Sequence, residues 1–145
     1  MRYSVIFCML CAACGGSEAN KAESLRYYRL GISTIEYAVQ EGANGAVENL
    51  SEDCKTSDRC IDDTVGPWLK GLYSINAARQ FLRVAYGTND RGLSEKAAAC
   101  AVARLRSVNA LLMERGRPIP SDYSRFFLFL REFSGKQKCE IDLVR

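Results

Sequence analysis

From residue 20 to residue 135, apolar side chains recur at intervals of three and four, and no stretch sustains period-two alternation. The chain therefore reads as helices without strands. Leu25, Tyr28, Ile32, Ile35 and Val39 form a first stripe, opened by the capping-box pair Asn20 and Glu23 and closed at Gly42. A loop-like, polar stretch follows, with a helical turn around residues 47–50 and then "SEDCKTSDRCIDD". Pro67 stands where a second helix should begin, and Trp68, Leu72, Ile75, Ala78, Leu82 and Ala85 line one face of it up to Gly87. Ser94 is positioned to cap a third, whose stripe is Ala98, Ala101, Leu105, Val108 and Leu112, ended by "GRPIP". The fourth runs from Ser121 to Ser134 and stops at Gly135. Asn44-Gly45 lacks the flanking strands of a hairpin.

Short links between successive helices favour antiparallel neighbours, so the expected fold is all-α, an up-down-up-down four-helix bundle. That topology sorts the cysteines. The second helix spans roughly 30 Å, so Cys54 and Cys60, just before it, lie at the opposite end of the bundle from Cys100. Cys139, after the fourth helix, returns to the end of Cys100. A bridge needs Cα atoms within about 7 Å. The expected disulfides are therefore Cys54–Cys60 and Cys100–Cys139.

The fourth helix, "SDYSRFFLFLREFSG", is the most unusual segment. Tyr123, Phe126, Phe127, Leu130 and Phe133 make one broad stripe, while Leu128 and Phe129 carry apolar surface further round. Two readings stay open. The helix is a bundle core filling space left by the Ala-rich third helix, or Phe126, Phe129 and Phe133, flanked by Arg125 and Arg131, dock a partner protein or a second copy. Trp68 and Tyr73 extend either surface.

At the other end, "CMLCAACGG" spaces Cys8, Cys11 and Cys14 three apart. As metal chemistry this would open an iron–sulfur ligand run, but no fourth thiolate follows at the required distance. As an address it fits better: Arg2 precedes a short apolar stretch over residues 5–13 that ends in small residues, the layout of an export signal. The sequence Leu10-Cys11-Ala12-Ala13-Cys14-Gly15 resembles the lipobox of bacterial lipoproteins, departing from it at Cys11, where that family prefers Leu, Val or Ile. The resemblance implies a signal peptide over residues 1–13, lipidation at Cys14 and a membrane anchor. With Gly15 rather than Asp next, it also implies an outer-membrane lipoprotein facing the periplasm. Residues 14–20 would be a tether and 21–145 the helical domain. Secretion as a soluble or periplasmic protein, cleaved for instance after Ala19, is the alternative.

Exported thiols in even number suit disulfides. The charge is also uneven: net −5 over residues 14–63 and +7 over residues 64–145, within a chain total of +3. Arg79, Arg83, Arg104, Arg106, Arg115, Arg117, Arg125 and Arg131 are either a basic face for an acidic or anionic partner or a solvated exterior. No module of basic and stacking residues points to nucleic acid.

The chain has no histidine, which removes the usual triads and the commonest zinc ligand. Glu52, Asp53, Asp58, Asp62 and Asp63 lack EF-hand spacing and read as solvated acids before a helix N-terminus. No catalytic site, metal or cofactor is expected. The expectation is a small cell-envelope lipoprotein working as a non-catalytic protein-binding or adaptor module. Two alternatives are a periplasmic inhibitor or immunity-type protein blocking an envelope hydrolase, and a secreted helical carrier with a sequon at Asn49-Leu50-Ser51.

Overall fold

The computed structural model describes the backbone of residues 11–140 and the side chains of residues 21–140. Residues 1–10 of the expected signal peptide (residues 1–13) and the side chain of Cys14 lie outside the described residues. Among the described residues six helices follow one another: α1 (Cys11–Glu48), α2 (Glu52–Lys55), α3 (Asp58–Thr64), α4 (Gly66–Gly87), α5 (Arg91–Glu114) and α6 (Ser121–Ser134). No strand occurs among the described residues, as the periodicity predicts. None of the described helices is long and apolar enough to cross a membrane.

Several boundaries differ from the sequence reading. α1 passes through Asn20 and Glu23 without a break, and residues 14–20, expected as a tether, belong to it. The run "SEANKAE" is rich in good helix formers, so the capping-box pair sits in a helix interior. Gly42 does not stop α1 either, because it serves a close helix crossing described below. The polar stretch expected as a loop folds into α2 and α3, whose N-caps Ser51 and Ser57 accept from the backbone N–H groups of Cys54 and Cys60. Asp90, not Ser94, caps α5, accepting from Leu93 N–H at 3.0 Å. Ser94 is buried and donates to the carbonyl of Ala85 at the end of α4. α4 and α6 keep their expected limits, with Pro67 in the first turn of α4 and Gly135 at φ +58° ending α6.

The direction of each helix follows from its contacts. Along α1, Ser24, Glu36 and Gly42 meet Tyr86, Arg79 and Trp68 of α4, so the two helices are antiparallel. Gly71, Ser74 and Ala85 of α4 meet Leu111, Ser107 and Ser94 of α5, again antiparallel. Tyr123 of α6 donates to the carbonyl of Leu105, and the chain beyond α6 returns to Cys100. α6 closes the ring on α1, where Phe126 lies by Tyr28 and Phe129 on Tyr27.

The core is where the stripes converge. Ile32, Ile35, Val39, Ile75, Ala78, Leu82, Ala85, Ala98, Ala101, Leu105, Val108, Leu112, Tyr123, Phe126 and Leu130 are all buried. Each fully buried large aliphatic or aromatic side chain contributes about 1.5–3 kcal/mol. Phe81, at 1% exposure, joins them from outside the stripe predicted for its helix. Leu25 is a correction: it is 47% exposed, and the buried position at that level is Ser24, hydrogen-bonded to Tyr86.

Both expected disulfides are present. Cys54–Cys60 has a Cα separation of 5.2 Å and Cys100–Cys139 one of 4.3 Å. The first joins α2 to α3, and the second pins the C-terminal tail to α5.

Candidate functional site

The expected partner surface on α6 divides in the structure. Phe126 is fully buried against Tyr28 and is core, which overturns its place in a docking patch. The reason is helical phase: Phe126 shares the inward face with Tyr123 and Leu130, also fully buried. Phe129 is half-buried and stacks on Tyr27 with centroids 5.5 Å apart, and Phe133, also half-buried, stacks on Tyr86 at 6.3 Å. These two rings seal α6 onto α1 and α4. Trp68 is buried, whereas Tyr73 is 75% exposed. Arg125 and Arg131 are exposed.

Arg131 and Leu128 border a groove of about 520 Å³ between α5, α6 and the returning tail, within the roughly 300–1,000 Å³ of ligand pockets. Val102 forms part of its floor, and Leu128, 53% exposed, stands open to solvent on its α6 side. Around this apolar strip stand Arg106 from α5, Arg131 from α6 and Lys138 from the tail, with Glu132 the one acid among the described residues. None of the three cations forms an ion pair among the described residues.

The tail wall is held in place covalently. Gly135, at φ +58°, takes a positive-φ backbone that glycine adopts readily and that turns the chain out of α6. The Cys100–Cys139 bridge then fixes Lys138 beside α5, aided by the exposed Lys96–Glu140 ion pair at 3.9 Å. Lys138 and Val102 carry no periodic or motif signal of their own. Only the disulfide pairing, once assigned, could have placed the tail against α5.

The other arginines do not gather on one face. Arg79 is paired with Glu36, a two-pronged contact that includes an Nη1–Oε1 bond of 2.8 Å and raises the guanidinium pKa further. Arg117 lies over the Trp68 ring at 5.8 Å from its centroid, at the end of the molecule where α4 begins. The acids Glu52, Asp53, Asp58, Asp62 and Asp63 are exposed on α2 and α3 at that same end. Among the described residues, no group of three or more His, Cys, Asp or Glu side chains is placed to hold a metal ion.

A second, more apolar groove of about 690 Å³ runs between Tyr37 and Ala38 of α1 and Arg117, Pro118 and Pro120. Two tyrosines are perturbed away from both grooves. Burial pushes the Tyr86 hydroxyl up to about 12, opposed by its bond with Ser24, and burial likewise raises Tyr123, opposed by a bond with Asn109. Both act as packing groups with one polar end satisfied. No family of known proteins matches this chain, nor does any curated protein sequence or solved structure.

Proposed function

We propose that this chain is a lipid-anchored, non-catalytic protein-binding module of a bacterial cell envelope, its body an up-down-up-down four-helix bundle with two added short helices. The observation that carries the reading is the α5–α6 groove, where Arg106, Arg131 and Lys138 from three separate elements surround exposed Leu128. Cations around an apolar strip recognise a surface. With no histidine in the chain and Cys54, Cys60, Cys100 and Cys139 joined in disulfides, the groove has neither the usual base nor a free thiol.

The antiparallel relation of each long helix to its two neighbours supports the bundle. The disulfides suit an oxidising compartment such as the periplasm. Cys14, at the end of the lipobox-like "LCAACG", is the proposed attachment point, and Gly15 favours the outer membrane. Ser24 meets Tyr86 at the last turn of α4. Ten residues of helix separate it from Cys14, so α1 would hold the body about 15 Å from the anchor. The segment around Cys54–Cys60 is a helical corner with Cys54 buried, which favours a binding module over an inhibitor presenting an extended loop.

Intact mass of the protein purified from membranes of a bacterial host tests the anchor. The expected product starts at Cys14 and carries acyl groups that Cys14→Ser abolishes. A soluble, unacylated product cut elsewhere would overturn the anchored reading.

A further inference from the structure

We propose that the α5–α6 groove docks a short segment of a partner protein that carries both carboxylates and apolar side chains. This deepens the reading of the chain as a binding module and rests on it. The charge complement is one-sided: among the described residues, Arg106, Arg131 and Lys138 face the groove against the acid Glu132, so an anionic occupant is attracted and a cationic one repelled. Simple anions satisfy only half of the site, since Leu128 would stay 53% exposed above Val102. An occupant that also covers Leu128 gains the burial of that apolar surface. Arginine at two of the three cationic positions allows two-pronged pairing with carboxylates.

A lipid headgroup is the competing anion, and the geometry disfavours it. Phe129, next to Leu128, stacks on Tyr27 of α1. Tyr27 lies thirteen residues along the helix from Cys14, so with α1 upright on its anchor the groove centre stands about 20 Å from the headgroups. The disulfide-held tail forms one wall without any rearrangement, and a preformed wall reduces the ordering that binding would otherwise require.

The test uses the full chain in neutral detergent and two labelled short peptides, one alternating Leu and Glu, the other alternating Leu and Lys. The Leu/Glu peptide should bind saturably and the Leu/Lys peptide should not. Arg106→Glu and Arg131→Glu should each weaken binding about tenfold or more, while Arg83→Glu, exposed on α4, should change it less than about twofold. Binding should also fall as salt rises from about 50 to about 300 mM, and Leu128→Asn should weaken it at constant charge. The Arg131→Glu protein, with the groove's cations and acids then balanced, should lose its preference for the Leu/Glu over the Leu/Lys peptide.

Absence of saturable Leu/Glu binding up to about millimolar peptide would overturn the proposal, as would equal effects of Arg83→Glu and Arg131→Glu. Binding to phosphatidylglycerol vesicles that Arg131→Glu abolishes, without peptide binding, would reassign the groove to lipid. Weighing the same preparations intact reports acylation separately, so failure of the groove and failure of the anchor are read independently.

Discussion

Gly42 of α1 lies so close to the indole of Trp68 on α4 that a β-carbon at residue 42 would overlap the ring. The contact sets the spacing of the two helices at the end where α4 begins. Trp68 is 4% exposed and cannot swing into solvent to make room. Gly42→Ala should therefore lower stability by about 1–3 kcal/mol, the usual range for overpacking. Gly87→Ala, where a β-carbon meets nothing within 4 Å, should be neutral or gain up to about 0.5 kcal/mol from helix propensity. Urea unfolding followed by Trp68, the chain's one tryptophan, should show a lower midpoint for the first variant only.

The two disulfides close loops of very different length. Their sequence separations are 6 residues for Cys54–Cys60 and 39 for Cys100–Cys139. On the chain-entropy relation, the second should contribute about 4 kcal/mol and the first about 2. Cys100→Ser with Cys139→Ser should therefore lower the melting temperature more than Cys54→Ser with Cys60→Ser. It should also speed proteolysis at Lys136 and Lys138, because the tail loses its tie to α5. Equal effects of the two double substitutions, measured by calorimetry, would count against the loop-length account.

The four long helices and their buried stripes were legible because 3.6-residue periodicity reports directly on burial, whereas the short α2 and α3 carry no such stripe. Ile32, Ile35, Val39 and the α5 stripe fell as expected. The errors came where one residue type has two uses. Gly42 reads as a helix stop, yet it is needed for Trp68. Ser94 reads as a cap, yet its hydroxyl satisfies the Ala85 carbonyl from within the core. Ser24 gives no apolar signal in the sequence, yet its bond to Tyr86 lets it take the buried position that periodicity assigns to Leu25. Of the groove, Arg106 and Arg131 were visible as charges and Leu128 as surplus apolar surface. Their meeting with Lys138 depends on a bridge between residues 39 apart, a long-range relation that periodicity does not carry.

Tyr86 links stability to alkaline pH. Its hydroxyl is held up at about 12 by burial, against about 10 in an unfolded chain. A raised folded pKa means that the unfolded state loses its proton first, so stability is complete below pH 10 and declines between about pH 10 and 12. Tyr123, raised for the same reason, adds to the decline. For Tyr86 alone the loss should approach about 2–3 kcal/mol. Tyr86→Phe should start less stable, having lost the Ser24 bond, and show a flatter decline. Urea titrations at pH 9 and near pH 12, with tyrosinate absorbance recorded in parallel, would detect this; identical slopes would exclude Tyr86 as the linked group.

The burial gradient around α6 gives the last prediction. Phe126 is fully buried, Phe129 half-buried on Tyr27, and Leu128 53% exposed. Phe126→Ala should lower stability by about 3–5 kcal/mol as a core truncation. Phe129→Glu removes a stacked pair worth about 0.5–1.5 kcal/mol and some buried area, but its carboxylate can reach water, so an intermediate loss is expected. Leu128→Glu should shift stability by no more than about 0.5 kcal/mol while placing an anion beside Arg131. Thermal unfolding of the three variants measures the gradient directly. A Phe129→Glu loss equal to that of Phe126→Ala would mean that the Tyr27 stack closes the core, leaving the outer face of α6 only Leu128 and its cations for recognition. A negligible loss would mean that the stack adds little to folding, freeing the Tyr27–Phe129 pair to extend the apolar strip of the groove.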